Sequence, residues 1–307
     1  MPVSARTPSG PNRPRSVAAR TKEATRSGPH ELDPYDFAVP AELVAQEPAP
    51  ERDLARLLVL DRAGNGVLTH SRVRDLRQWL RPGDLLVVNE TRVLRARLRG
   101  RKATGGAASA LLLGPAQKED CFRALLRCRG RLRVGQRFAF GPPGEEIPAE
   151  LVGLDLEGEV VLSFPRGVSP FEMGEAPLPP YIRRNAPRGA DLERYQSVFA
   201  RVPGSVAAPT ASLHLSERLL GELAAAGVER AELVLHVGPG TFRPLRPRDL
   251  TSGRLDAEHF ELPESTAHAI ARARTRGGRI IAVGTTATRV LESCAAADRR
   301  VSAGGGA

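Results

Sequence analysis

The stretch GDLLVVNETRVLRARL, Gly83 to Leu98, is where the chain changes architecture. Ahead of it an amphipathic segment around Val73 to Leu80 reads as a helix, ended by Pro82 and Gly83. Leu85 to Val88 is an apolar run of strand length that delivers Asn89, Glu90 and Thr91 at its end. From Arg92 to about Phe164 the helical period disappears, and short apolar runs are punctuated by Gly and Pro. That pattern predicts an all-β region built as a small antiparallel β-barrel.

On either side of this region the pattern is mixed. Arg56 to His70, RLLVLDRAGNGVLTH, reads as strand, turn at Gly64 to Gly66, and strand. Beyond Pro165 helices and strands alternate: a helix over Ser216 to Ala226 before Gly227, a strand over Glu232 to Val237, and a helix over Pro263 to Arg276 closed by Gly277 and Gly278. A buried strand, Ile280 to Val283, and a helix from Thr286 to Ala297 follow. The fold class expected is α/β: a larger discontinuous α/β domain, residues 31–91 and 165–307, with an inserted antiparallel β-barrel domain at 92–164. Residues 1–30 are Ser, Pro, Arg and Gly without apolar period and read as a disordered basic tail.

The 307 residues suit two domains, with 41% hydrophobic and 26% charged residues, near globular norms. Aromatics at 4% are sparse, so base-stacking platforms are few. No apolar run reaches membrane-spanning length and no signal-peptide core is present, so the expectation is a cytoplasmic protein without a membrane partner. Cys121, Cys128 and Cys294 have neither CxxC spacing nor an even framework, and six scattered histidines show no metal-ligand spacing. No metal is expected. A net charge of +10 and a pI near 10.5 favour an anionic partner, nucleic acid first. The basic residues are nearly all arginine in a chain rich in Ala, Gly and Pro, a profile that GC-rich coding also produces.

Three stretches carry candidate chemistry. Gly284, Thr285 and Thr286 follow a buried strand and open a helix, where backbone N–H groups receive a carboxylate or phosphate; a plain N-cap reads the same way. Arg289 and Glu292, one turn apart, are placed to pair. Gly238 to Thr241, GPGT, closes a strand with glycines that let a ligand approach the backbone, and lacks the third glycine of a dinucleotide fingerprint. His214 ends the small-residue segment GSVAAPTASLHL, Gly204 to Leu215, with an imidazole suited to proton transfer at neutral pH; a structural histidine remains the alternative. In the β region Arg95, Arg97, Arg99 and Arg101 alternate with other residues, and Arg127, Arg129, Arg131 and Arg133 repeat the device. On strands each set lines one face and would track phosphates; a solvated outer face is the other reading.

The segments GSVAAPTASLHL, LHVGPGTFRPLR (Leu235 to Arg246) and AVGTTATRVLES (Ala282 to Ser293), with LPPYI (Leu178 to Ile182) and RYQSVFA (Arg194 to Ala200), resemble the S-adenosylmethionine:tRNA ribosyltransferase-isomerase family of queuosine biosynthesis from about Leu32 to about Ala297. The resemblance implies S-adenosylmethionine as cosubstrate and, as partner, a tRNA carrying 7-aminomethyl-7-deazaguanine at the wobble position. The expected product is epoxyqueuosine, with adenine and methionine released. His214, Thr210, Asn89 and Arg92 become candidate catalytic residues, with Glu258 or Glu90 as alternative base. Gly238, Gly240, Thr241, Gly284, Thr285, Thr286 and Arg289 become candidate cosubstrate contacts, and Tyr181 either faces the ligand or packs in the core. A monomer is expected. The chain departs from the family pattern at Ser212, where glycine is usual, near Ser109, where an acidic residue is usual, and at Gly253 and Asp256, where histidines are usual. The family continues past Ala297 with further strands, so the larger domain is expected to be C-terminally incomplete, with Val301 to Ala307 structureless. A catalytically idle RNA-binding relative is the rival reading.

Overall fold

The computed structural model describes residues 37–63, 66–155, 158–184, 188–242 and 247–307, and the expected basic tail lies outside them. The chain divides into two units, Met1–Val44 and Ala45–Ala307. The described part of the first holds one 3₁₀ turn, Ala41–Leu43. The second holds the strands and α-helices.

Strands β1 (Arg56–Asp61) and β2 (Val67–Arg72) form an antiparallel hairpin. The helix expected next is only a 3₁₀ stretch, Val73–Gln78. With Pro82 and Gly83 close behind, the chain has room for little more than two α-turns, and short helical pieces of this kind often take the tighter form. The apolar run becomes β3 (Leu85–Asn89), every residue of it buried. Leu85 and Val87 pack with Leu233, Leu235, Ile270 and Val290 on one side, while Leu86 packs with Leu219, Leu223 and Val228 on the other. Burial on both faces is the reason the run is continuous and not alternating. Truncating one of these leucines to Ala costs about 2–5 kcal/mol.

After β4 (Thr91–Val93) come the strands of the barrel: β5 (Arg97–Lys102), β6 (Ala107–Pro115), β7 (Cys121–Cys128), β8 (Arg137–Phe140), β9 (Ile147–Leu154) and β10 (Val160–Ser163). They close antiparallel in the order β10-β7-β6-β5-β8-β9. Leu98, Leu112, Phe140, Leu151 and Leu162 fill the interior at 0% exposure. Alternation therefore sends Arg97, Arg99 and Arg101 outward. Closure removes the free edges that so small a sheet would otherwise expose.

Then α1 (Gly189–Arg194) leads to β11 (Val202–Ser205), which lies parallel to β4. The main sheet has the order β14-β3-β12-β13-β15, made with β12 (Glu229–Leu235), β13 (Phe260–Leu262), β14 (Ile280–Ala282) and β15 (Gly304–Gly306). β14, β3 and β12 are parallel; at one side β13 pairs antiparallel with β12, and β15 antiparallel with β13. Helix α2 (Glu217–Ala225), capped by the Ser216 hydroxyl accepting from the Leu219 amide, contributes Leu219, Leu220 and Leu223 to one face. α3 (Pro247–Ser252) is short, and α4 (Glu264–Thr275) and α5 (Gly284–Ser293) cover the other face.

Two expectations fail at the C-terminal end. The last helix starts two residues early, at Gly284, and ends at Ser293, where Cys294 caps it and the chain turns back. Val301 to Ala307 is also not structureless, because Gly304–Gly306 adds a strand to β13. Pairing through backbone alone needs no side chain, so composition gave no hint of it. Among the described residues no helix is long and apolar enough to cross a membrane.

Candidate active site and arginine groove

The parallel strands β14, β3 and β12 end on the same side of the sheet, the side where open α/β sheets bind ligands. Each delivers part of a cluster there. β14 runs through Val283 into α5, whose N-cap position has no side-chain cap. The first amides of a helix lack intrahelical partners, so Gly284, Thr285 and Thr286 present free donors and the positive end of the helix dipole. The Thr286 hydroxyl is buried without a partner, while Thr285 is exposed. The 3₁₀ turn Thr210–His214 packs against this helix start, close enough that a Cβ on Gly284 would lie 3.1 Å from Ala211 Cβ. In that turn Ser212 is fully buried and its hydroxyl has no partner.

β12 delivers His236 to Gly240. The Gly238 amide donates to Glu258 Oε1 at 2.7 Å, and the other Glu258 oxygen takes the Arg289 guanidinium. Arg289 therefore bonds Glu258, not Glu292 as its spacing suggested, because Glu258 lies buried over the helix face beside it. Gly240 lies near Asp256, with a Cβ there 3.6 Å from the carboxylate. The Thr241 side chain lies outside the described residues. One candidate base and one candidate cosubstrate contact are thus a single ion pair.

β3 delivers Asn89, whose carboxamide is committed to the sheet. Its nitrogen donates to Leu235 O at 2.9 Å, and its oxygen accepts from the Thr91 and Leu235 amides, each at 3.1 Å. Buried at 0% exposure, it fixes the spacing of β3 and β12. Glu90 is held by Arg201 at 2.9 Å. Beside them stands a residue that sequence reasoning passed over. His236 shares a 2.7 Å hydrogen bond with the Thr91 hydroxyl and stacks on His259 at 5.8 Å. Desolvation, then the neighbouring His259, lowers the His236 pKa below the ordinary value. Gly204 makes room for this ring: a Cβ there would sit 2.6 Å from Nε2, and its φ of +151° is left-handed. The signal in the sequence was an imidazole interrupting the end of an apolar run expected as a strand, Glu232 to Val237, which in the structure ends at Leu235.

His214 ends its turn exposed, with its pKa lowered by desolvation and then by the Arg52 guanidinium, which donates to the neighbouring Leu213 carbonyl at 3.0 Å. Thr210 opens the same turn, also exposed. Arg92 is exposed and lines a separate cavity of about 850 Å³ with Arg52, Gln196 and Ser197. None of Gly238, Gly284 or Arg289 lines that cavity.

The arginines of the β region divide sharply. The outer faces of β5, β6 and β7 align Arg99 with Ser109 and Arg127, and Arg97 with Leu111 and Leu125. Together with segments 173–184 and 188–192 they enclose a groove of about 890 Å³. Arg101, at the far end of β5, pairs with Glu146 at 2.6 Å outside the groove, and Arg95, which precedes the strand, donates to the Gly174 carbonyl at 2.7 Å. The second set is not a strand face. β7 ends at Cys128, Gly130 has a φ of +91°, and Arg129, Arg131 and Arg133 occupy the exposed connection to β8. The glycine breaks the alternation on which the face depended. Tyr181 is 55% exposed and not a core residue.

A family model described as queuosine biosynthesis protein matches residues 32–305. The S-adenosylmethionine:tRNA ribosyltransferase-isomerase of Gloeobacter violaceus is 47% identical over 269 residues, covering 86% of this chain and 73% of that protein. The enzyme of the same name from Moorella thermoacetica is 43% identical over 280 residues, covering 90% and 80%. Among solved structures, the S-adenosylmethionine tRNA ribosyltransferase of Thermotoga maritima aligns over 84% of this chain and 71% of that chain at 29% identity, with a TM-score of 0.39. With the barrel, the strand-end cluster and a match over almost the whole chain, the protein belongs to the queuosine biosynthesis protein family and is an enzyme of the transferase-isomerase type.

Proposed function

We infer that the chain transfers and isomerises the ribosyl moiety of S-adenosylmethionine onto 7-aminomethyl-7-deazaguanine in tRNA, forming epoxyqueuosine and releasing adenine and methionine. The observation that carries this reading is the strand-end cluster in a chain of this family. The α5 N-terminus offers uncapped amides to a carboxylate, and Glu258 and Asp256 lie on the side of Gly238 and Gly240. An amino-acid zwitterion such as the methionine end of the cosubstrate needs that pairing of an anion site with a cation site. Thr285, Thr286 and the Gly238 and Gly240 backbone are its proposed contacts, with Arg289 orienting Glu258.

The sulfonium acidifies the adjacent ribose carbon, so the first demand is a base. We assign it to His214, because its lowered pKa keeps the imidazole neutral at neutral pH, whereas Glu90 and Glu258 are both held by guanidiniums. Thr210 beside it is proposed to stabilise oxyanions as the ribose ring opens and recloses. Arg92, lining the neighbouring cavity, faces RNA in this reading, and Asn89 acts by holding β3 and β12 in register. The barrel, read as an inserted domain, meets the tRNA with its outward arginines, and the protein works in the cytoplasm.

The test is turnover. Purified protein, S-adenosylmethionine and tRNA carrying the aminomethyl deazaguanine should yield adenine and methionine in equal amounts, with epoxyqueuosine in the digested tRNA. Omitting the modified tRNA should abolish adenine release. Folded protein that binds both substrates without turnover would sink this assignment.

A further inference from the structure

The groove on the barrel is lined by six arginines and two carboxylates, Glu175 and Asp191. Most of these charges have partners. Arg184 holds Asp191 at 3.1 Å and Glu47 at 3.3 Å, Arg188 takes Glu47 at 2.5 Å, and Arg99 takes Glu175 at 2.8 Å. Arg95, Arg97 and Arg127 have no carboxylate partner among the described residues, and of these Arg97 is drawn furthest from water. Among the described residues its Nε is buried without a hydrogen-bond partner, and its one side-chain bond is a long one, 3.3 Å, to the Leu178 carbonyl. The charges nearest it are Arg99, Glu175 and Arg127; desolvation, with the two arginines, lowers its pKa.

The one carboxylate near it, Glu175, is bonded by Arg99, and a part-buried cation with no carboxylate bonded to it is costly to the folded state. A fold retains such a group where a ligand completes it. The register shows what kind of ligand. Arg99 and Arg127 flank Ser109 across three adjacent strands, so their stems are about 10 Å apart at the usual strand spacing, and Arg97 stands one pleat repeat along on the same face. Leu111, Leu125, Pro179 and Ile182 give the same groove apolar walls. Cations are excluded: the sulfonium and ammonium of S-adenosylmethionine and the aminomethyl group of the deazaguanine would all meet like charge here. What fits is a phosphodiester with a flat apolar neighbour.

We propose that the groove binds one internucleotide phosphate of the substrate RNA through Arg97, Arg99 and Arg127, with the adjoining base lying against Leu111 and Ile182. The inference rests on the proposed tRNA substrate and narrows its contacts to three of the eight arginines in the two alternating sets. Arg101 and the three arginines of the β7–β8 connection lie outside this subsite.

The experiment is equilibrium binding of an unmodified anticodon stem–loop RNA to the full chain across a salt series. Wild type, Arg97→Gln, Arg127→Gln and, as a charge control away from the groove, Arg62→Gln are compared. Arg97→Gln and Arg127→Gln should each weaken binding about tenfold near 0.1 M salt and flatten the slope, by up to about 0.7–0.9, the full share of the one phosphate contact. Arg62→Gln should keep the wild-type slope. Arg97→Gln should also melt no lower than wild type, since it removes an uncompensated charge, whereas a purely structural Arg97 would lower the melting temperature. Arg127 is exposed, so its variant tests the groove even if Arg97→Gln fails to fold. Wild-type RNA binding with unchanged slopes in both variants would overturn the inference alone; absence of RNA binding by wild type at low salt would remove the tRNA reading and the inference together.

Discussion

The strand-end cluster and the barrel groove are both built from charged residues, yet their charges balance differently. At the strand ends each buried carboxylate is met: Glu258 by the Gly238 amide and Arg289, Glu90 by Arg201. In the groove, Arg99, Arg184 and Arg188 hold carboxylates, but Arg95 and Arg97 turn only to backbone carbonyls, and Arg97 stands beside Arg99, Arg127 and a Glu175 already held by Arg99. A region that neutralises itself, with uncapped helix amides beside its carboxylates, suits a small zwitterion. One that leaves positive charge uncompensated suits a polyanion. In the proposed reading, one chain thereby keeps separate grips on two substrates of opposite electrostatic character.

The most severe way to separate the two regions is His214→Ala. Turnover should fall at least about a hundredfold, the scale of a lost acid/base group, while the salt slope of RNA binding stays as in wild type. In wild type the acid limb of kcat/KM should lie below pH 6.5, because the His214 pKa is lowered from that value. A variant with undiminished epoxyqueuosine formation would move the base to His236 or Glu258.

Gly204→Ala should come next, at about 2 kcal/mol of stability, because the new Cβ collides with the His236 ring and the backbone is left-handed there. Urea unfolding measures it; a loss under about 0.5 kcal/mol, the range of an unremarkable surface change, would mean the imidazole swings away freely. Glu258→Gln removes the charge that holds Arg289 and should weaken S-adenosylmethionine binding about tenfold, read as a smaller thermal shift at fixed ligand. An equal shift in the variant would detach this carboxylate from the cosubstrate.

The smallest effect lies at the other end of the sheet and belongs to neither region. Asp84, just before β3, is held down to about pKa 2, first by its hydrogen bond from Arg279 and then by backbone amides, against the burial that opposes this. A depressed carboxyl contributes stability that is present above its unfolded value near 3.8 and is lost as pH falls through about 2. Asp84→Asn should therefore flatten the loss of stability between about pH 4 and pH 2 and leave both ligands' affinities alone. Acid unfolding followed by circular dichroism gives the comparison.

Much of this architecture is legible in the amino-acid order. The apolar run Leu85 to Val88 reads as a strand and forms one, and the alternation that puts Arg97 and Arg99 on one face leaves Leu98 on the other, where it is buried. Helix α2 announced itself by Ser216 and its leucines. What the sequence hid depends on contacts between distant segments. Arg289 reads as the partner of Glu292 because spacing along a helix is visible, whereas Glu258 reaches it only after β13 pairs with β12. The Arg129, Arg131 and Arg133 alternation looked like a strand because a single glycine turn carries little pattern. His236 was one histidine among six until Thr91, Gly204 and His259 closed around it. The family resemblance supplied the ligand; only the packing shows which side chains are free to meet it.

The parallel pairing of β4 with β11 has a mechanical consequence. The chain leaves the main sheet for the barrel along one of these strands and returns along the other, so the pair is the axle on which the barrel is mounted. Beside it the Arg201 and Val202 amides both donate to the Glu90 carbonyl, Leu94 donates to Ser205, and Gln196 bridges both backbone groups of Val93. Turning the barrel against the sheet has to shear all of these at once. The joint is stiff, and the distance between the groove and the strand ends is set by it in the way a fixed gauge sets the gap between two jaws.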